Sequence, residues 1–455
     1  MGRKTSFLVI CTDQQRSDSL GCAGNAEART PNIDGIAENG LRFTRHSTPM
    51  QICSPSRATM LTGLYPRHHR LAVNGMALPS DIPVLTQTLS RNGYRTHGVG
   101  KLHLQPILAP EEYAMPDSRA FWDMPESADW VGPFYGYQTV DLLLGESDTA
   151  HLAGHYARWL KQNHPESVNK LLPESAPVAP PVDLDEIWRS PVPPEHHYNS
   201  WIGDCAIRFI EEVHDGEVPF FLFVSFPDPH HPFDPPLPYA SAFQPSAMPL
   251  PVITDDERRR QLGYFSELYP KGEGFRDLYW AGRSDLEAGS MITTESISDD
   301  SMRRAIAYTH AMNHMIDDQV GRILAALQRP GQREDTVLVF TSDHGELLGD
   351  HGLLHKGLPP YRQLTEVSLL IQGPGIHAGG SVEALTSHID LAPTLLELAR
   401  VNAAEHEFDG VSLLSLLQGE DVPIRDYDFG EYHPTARKDL YNQTVRTRQW
   451  RLTLY

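Results

Sequence analysis

The chain has 455 residues, 40% of them hydrophobic and 21% charged, with 59 acidic against 38 basic side chains and a formal net charge of −21. That balance excludes a general nucleic-acid or anionic-membrane binder, while leaving room for a local basic pocket that takes a small anion. No apolar run is long enough to span a bilayer, and four cysteines in a chain of this length make neither a disulfide framework nor a C-x-x-C zinc pair.

Taken in chain order, the first apolar run is Phe7 to Cys11, leading into Thr12-Asp13-Gln14. It is too short for the core of a signal peptide and no small-residue cleavage site follows, so it reads as a strand. The expected setting is then the cytoplasm, with reduced thiols. Three further runs share the pattern: Thr96 to Gly100 before Lys101-Leu102-His103, Phe220 to Val224 before Asp228-Pro229-His230-His231, and Thr336 to Phe340 before Ser342-Asp343-His344. Continuous apolar runs suit strands buried on both faces of a parallel sheet. Helical patterns at Val84 to Asn92 and Met302 to Leu327 lie between them. All four runs deliver ionisable side chains at their carboxyl ends, where open α/β sheets bind ligands. One site on one sheet edge is the economical reading.

Gln105 to Ser200 reads as irregular and rich in proline and aromatics, either walling a pocket or forming a surface excursion. Pro245 to Ile297 is a second insertion. Val445 to Tyr455 alternates like a strand and then stops, so a C-terminal piece is expected to continue beyond it.

Between the first two runs stands Pro49-Met50-Gln51-Ile52-Cys53-Ser54-Pro55-Ser56-Arg57. Ser54 suits an N-cap and Pro55 the first helical position, which puts Cys53 just before a helix N-terminus, where anions are favoured. Arg57, one turn on, can point at the same spot. A buried cysteine beside an ordinary helix start is one reading, and a thiolate nucleophile of lowered pKa is another. The spacing from Cys53 to Arg57, with three intervening residues, does not fit the tyrosine-phosphatase loop.

A third reading covers the whole segment. Cys53, Pro55, Ser56 and Arg57 followed by Leu61-Thr62-Gly63 resemble the sulfatase signature, in which the cysteine is oxidised to formylglycine. The resemblance extends in order through Asp13 to Arg16, Thr30 to Asp34, Gly100 to His103, Pro229 to Phe233, Thr341 to Glu346, Lys356, Gly373 to Gly375 and Asp409 to Leu414. It implies an alkaline-phosphatase-like α/β sandwich, with a mostly parallel central sheet between helices. Residues 1–425 would form the catalytic domain, and residues 426–455 would begin a small, truncated α+β subdomain. It also implies one divalent metal on Asp13, Gln14, Asp343, His344 and an oxygen of modified Cys53.

The implied activity is hydrolysis of small-molecule sulfate monoesters. Arg57, Lys101 and Lys356 would join the metal in stabilising developing negative charge. One hydroxyl of the aldehyde hydrate attacks sulfur, and His230 or Lys356 protonates the leaving alcohol. His103 then deprotonates the second hydroxyl, so that sulfate departs and the aldehyde returns. A formylglycine-generating enzyme is the implied maturation partner, and homo-oligomerisation stays open. The pairs Asp13-Gln14 and Asp343-His344 replace the Asp-Asp and Asp-Asn of many sulfatases and look like choline sulfatases and phosphonate monoester hydrolases. Asn74 sits where those relatives carry a substrate-contacting asparagine. Two neutral ligands make manganese an alternative to calcium. Ser56, Lys101 and His103 favour sulfate esters; a phosphonate monoester or phosphodiester is the second choice of substrate, and a non-catalytic binding protein the third reading.

Overall fold

The computed structural model describes residues 4–213, 218–260, 291–328, 332–432 and 441–455. Its centre is an eight-stranded sheet made of β1 (Ser6–Thr12), β2 (Leu41–Phe43), β3 (Arg95–Gly100), β4 (Thr139–Leu142), β5 (Phe220–Phe226), β6 (Thr336–Ser342), β7 (Leu369–Gln372) and β8 (Ser381–Val382). The spatial order is β8-β2-β7-β6-β1-β5-β3-β4. From β6 to β4 the neighbours are all parallel, while β7 runs antiparallel to both β6 and β2. The four apolar runs are thus four adjacent parallel strands, and the α/β sandwich with a mostly parallel sheet is the fold of the chain.

Alternation along β1 explains the layering. Phe7, Val9 and Cys11 join a core cluster on one face with Ala58, Met60 and Leu61 of helix α1 (Cys53–Thr62). Leu8 and Ile10 join a second cluster on the other face. That cluster includes Ile202 and Phe209 of α2 (Tyr198–Glu212) and Ile316, Val320 and Ile323 of α3 (Asp299–Ala326). A strand buried on both faces has no solvent side to mark with polar residues, which is why these runs are uninterrupted.

The segment from Gln105 to Ser200 is more ordered than its composition suggests. It contributes β4, an edge strand of four residues, and a helix over Gly154–Asn163. Its aromatics Trp122, Trp130, Phe134 and Tyr135 pack on the first core cluster, and Phe121 sits edge-on to Trp122 and Trp130, instead of standing free around a pocket. The middle of the second insertion lies outside the described residues; its flanks form a helix at Asp255–Arg260 and a strand at Ile292–Thr293. At the end of the chain, Asp428–Tyr432, Asn442–Arg446 and Arg451–Leu454 form a separate antiparallel sheet. No helix among the described residues is long and apolar enough to cross a membrane.

Candidate active site

Strand register brings the site together. Thr12 pairs with Ser342, so Asp13 and Asp343 leave the sheet side by side, and the ladder continues one step as Asp343 N–H donates to Thr12 O at 3.0 Å. Gly100 ends β3 beside Ser225 of β5 with φ +88°, and a Cβ there would sit 1.9 Å from the Ser225 carbonyl. Only glycine makes this turn, which delivers Lys101 and His103 to the same edge.

Helix α1 crosses this edge with all ten residues buried. It starts two residues earlier than the Ser54-Pro55 pattern predicts: Cys53 is its first residue and Ile52 its N-cap, with no side-chain cap of its own. The Ser54 N–H donates instead to Asn74 Oδ1 at 3.0 Å. Asn74 is therefore seated beside the nucleophile position, with its carbonyl oxygen already engaged.

Arg57 differs from its sequence reading. Its Nε donates to Asp343 Oδ2 at 2.9 Å and its Nη2 to Asp13 Oδ2 at 3.0 Å. Nη1 reaches the Lys101 carbonyl at 2.5 Å and Ser225 Oγ at 2.7 Å. With four of five N–H donors taken, the guanidinium is a clamp on two carboxylates. It holds Oδ2 of each; Asp13 Oδ1 is left toward Cys53, while Asp343 Oδ1 accepts the Gln14 N–H at 3.0 Å and the His344 N–H at 2.8 Å. Ser56, read only as a signature residue, donates to the Asp343 carbonyl at 2.5 Å and fixes the same loop.

Four donors meet in the clamp's opening. Cys53 Sγ lies 3.3 Å from His344 Nε2 and 3.6 Å from Asp13 Oδ1. His344 Nε2 lies 3.7 Å from Asp13 Oδ1 and 3.7 Å from Asp343 Oδ1. Such separations suit donors sharing one ion at roughly 2.0–2.6 Å. His344 Nδ1 donates to the Gly345 carbonyl at 3.0 Å, which leaves Nε2 the lone pair a ligand needs. Gln14, at φ +61°, adds a neutral amide oxygen. Two carboxylates, an amide and an imidazole fit a divalent cation of fairly hard character.

The cations complete the picture. Lys101 Nζ pairs with Asp13 Oδ2 at 2.7 Å and with Glu146. Lys356 Nζ stands 2.6 Å from Gln14 Oε1, 3.2 Å from Cys53 Sγ and 2.9 Å from His230 Nε2. His103 also reaches Cys53. Burial alone would raise the Cys53 thiol, yet Lys101, Lys356 and His344 pull it well below its ordinary value. The site is built to hold negative charge at that atom. Burial likewise opposes ionisation of Asp13, but Lys101 and Arg57 keep it below the carboxylate range. Asp343 is pushed up by burial and by the Asp13 charge, against His344 and Arg57.

All the sequence-selected residues therefore converge here: Asp13, Gln14, Cys53, Arg57, Asn74, Lys101, His103, His230, Asp343, His344 and Lys356. His231, next in the chain to His230, places Nδ1 3.1 Å from Gln14 Nε2. Sequence reasoning missed Glu146, Glu346, Glu186 and His355. Glu346 stands inside the quoted Thr341 to Glu346 block, and its place two residues after His344 was the available signal. Glu146 and Glu186 lie in the segment read as irregular, and nothing in their neighbours marks them. His68 pairs with Asp409 and His69 with Thr59, away from the site.

The family model described as Sulfatase matches residues 5–401, and one described as N-sulphoglucosamine sulphohydrolase, C-terminal, matches residues 349–455. An arylsulfatase of Clostridium perfringens is 27% identical over 442 residues, covering 94% of this chain and 82% of that protein. A multifunctional alkaline phosphatase superfamily protein of Trinickia caryophylli is 29% identical over 428 residues, covering 92% and 77%. Among solved structures, the phosphonate monoester hydrolase of Agrobacterium radiobacter superposes with a TM-score of 0.77 at 26% identity, covering 99% of this chain and 87% of that one.

Proposed function

Because the chain belongs to the sulfatase family and is a sulfuric ester hydrolase, we propose that it cleaves small-molecule sulfate monoesters with a formylglycine made from Cys53. The observation that carries this reading is the convergence of Asp13, Cys53, Asp343 and His344 within 4.8 Å of one another, with two lysines against the same point. Calcium is the proposed ion, held by these residues and Gln14, with manganese as the alternative. When bound, the ion supplies Lewis-acid charge for the developing oxyanions. The modified side chain, as its hydrate, supplies one nucleophilic hydroxyl and a second that lets the site reset.

The chain's own residues do the rest. Arg57 orients Asp13 and Asp343 and favours their charged forms against burial, and Lys101 and Lys356 place positive charge beside the position of the transferred group. His230 Nε2 accepts from Lys356 Nζ at 2.9 Å, and this pair, through either member, is placed to give a proton to the departing alcohol oxygen. His103 stands beside residue 53 to take one from its free hydroxyl. Asn74 keeps an amide N–H for the substrate while its oxygen caps the helix. Maturation then requires a formylglycine-generating enzyme, and a cytoplasmic location and the 1–425 and 426–455 division belong to the same proposal.

The Gln14 and His344 pair and the Agrobacterium radiobacter likeness favour phosphonate monoesters or phosphodiesters as the second reading. Peptide mass spectrometry on protein from the native host is expected to find the aldehyde or its hydrate at position 53; cysteine throughout would overturn the mechanism. Metal-defined protein is expected to turn over an aryl sulfate faster than an aryl phosphonate monoester, and the reverse order would make the second reading the activity.

A further inference from the structure

Behind Gln14 lies a buried set of charges with no part in the reaction. Glu346, Glu186 and His355 are each at most 1% exposed. Glu346 Oε1 accepts the Leu348 N–H at 2.8 Å and the His355 N–H at 2.5 Å, and its Oε2 faces Gln14 Nε2. His355 Nε2 stands 2.8 Å from Glu186 Oε1, and its Nδ1 lies 3.8 Å from Glu346 Oε2. Two carboxylates in a dry interior need a cation between them, and the imidazolium of His355 occupies that place.

We propose that Glu346, buttressed by His355 and Glu186, is a positioning residue that fixes which end of the Gln14 amide faces the metal site. The reasoning is one of donors and acceptors. A carboxylate only accepts, so the Gln14 NH₂ must face Glu346; an ammonium only donates, so Gln14 Oε1 must face Lys356 Nζ at 2.6 Å. The flipped amide would set oxygen against carboxylate and NH₂ against ammonium, two repulsive contacts in place of two charge-assisted bonds. The amide is locked with its oxygen toward the ion, and the positive φ of Gln14 is held in part by this grip. Without Glu346 only Lys356 and His231 Nδ1, 3.1 Å from Gln14 Nε2, hold the amide; the preference weakens, and NH₂, which cannot ligate, would occupy the ligand position part of the time.

The inference rests on the metal assignment proposed above, and the test separates the two. Calcium and manganese binding is measured by calorimetry or equilibrium dialysis on metal-stripped full-length protein. Glu346→Gln is isosteric and lets both amides flip together, so it is expected to weaken binding about 10–100-fold. Combining it with Gln14→Glu restores a carboxylate oxygen toward the ion and an NH₂ behind it at unchanged total charge. The double variant is expected to regain at least wild-type affinity, and it serves as the decisive comparison should the single variant fail to fold. Binding by Glu346→Gln within twofold of wild type, or a double variant as weak as the single, would overturn the proposal alone. Wild-type protein that takes up no divalent ion would remove the metal reading and this one with it. Two ions per chain, the second lost in Glu186→Gln, would also overturn it, since His355 and Glu186 would then be ligands and not a buttress.

Discussion

Two regions of the molecule bury arginine against paired carboxylates, and they do so to different ends. At the C-terminal sheet, Arg446 joins Glu366 at 2.9 Å and Asp428 at 2.9 Å, and Arg451 donates to the Pro360 carbonyl. That network ties the sheet to the body of the chain. At the carboxyl edge of the parallel sheet, Arg57 also joins two carboxylates, but through Oδ2 of each. Asp13 Oδ1 faces Cys53 Sγ at 3.6 Å, and Asp343 Oδ1, which accepts the Gln14 and His344 N–H, lies 3.7 Å from His344 Nε2, with two lysines close by. A network that closes on itself holds structure together. One that opens onto convergent donor atoms of Asp13, Cys53, Asp343 and His344 is prepared for something the chain does not itself contain.

The sharpest way to break this contrast is Arg57→Met. Removing the clamp leaves Asp13 and Asp343 adjacent in a buried site, and losing one partner of such a set costs about 3–5 kcal/mol. Urea unfolding should show that loss, and divalent metal should recover part of it by neutralising the carboxylates. A variant within about 1 kcal/mol of wild type without metal would mean that Arg57 is not the element holding the pair.

The parallel strands were legible because burial on both faces leaves an uninterrupted apolar signature, as in Phe7 to Cys11 and Thr336 to Phe340. Cys53, Lys101, His230 and Asp343 were legible because each follows or joins such a signature in a motif. The edge strand Thr139–Leu142 was not, since four residues with alternating burial look like any loop of mixed composition. The task of Arg57 also escaped, because spacing along one helix cannot reveal carboxylates arriving from β1 and β6. Glu186 and His355 are separated by more than a third of the chain, and their pairing exists only after the sheet has formed.

A smaller effect is expected with pH. Burial would lower the His355 pKa, but Glu186 and Glu346 outweigh it and raise it from 6.5 to about 9. His231 lies tilted against the ring with centroids 3.8 Å apart and is itself held well below its ordinary value, chiefly by burial, so it adds no competing charge near neutrality. The folded chain therefore keeps a proton on His355 that the unfolded chain has released. Its contribution is complete below about pH 6.5 and is lost as pH rises through about 9. The loss amounts to about 3 kcal/mol. Urea midpoints between pH 6 and 10 should fall over this window, and a His355→Gln variant should show a flatter profile. An unchanged slope in that variant would assign the alkaline loss to other groups.

The least of the three effects tests the other side of the comparison. Arg446→Met breaks a network whose arginine side chain is 10% exposed, with Glu366 at 19%, so water can compensate the orphaned carboxylates in part. The expected loss is about 1–2 kcal/mol, seen as a lower urea midpoint. Turnover per folded molecule and metal affinity should stay at the wild-type value, because no atom of this network points at Cys53. A fall in metal affinity with the fold intact would show that the C-terminal sheet reaches the site through Ser47 and Thr48, which lie between Arg446 and the start of α1. The closed network would then be part of the open one, and the contrast drawn between them would have to be abandoned.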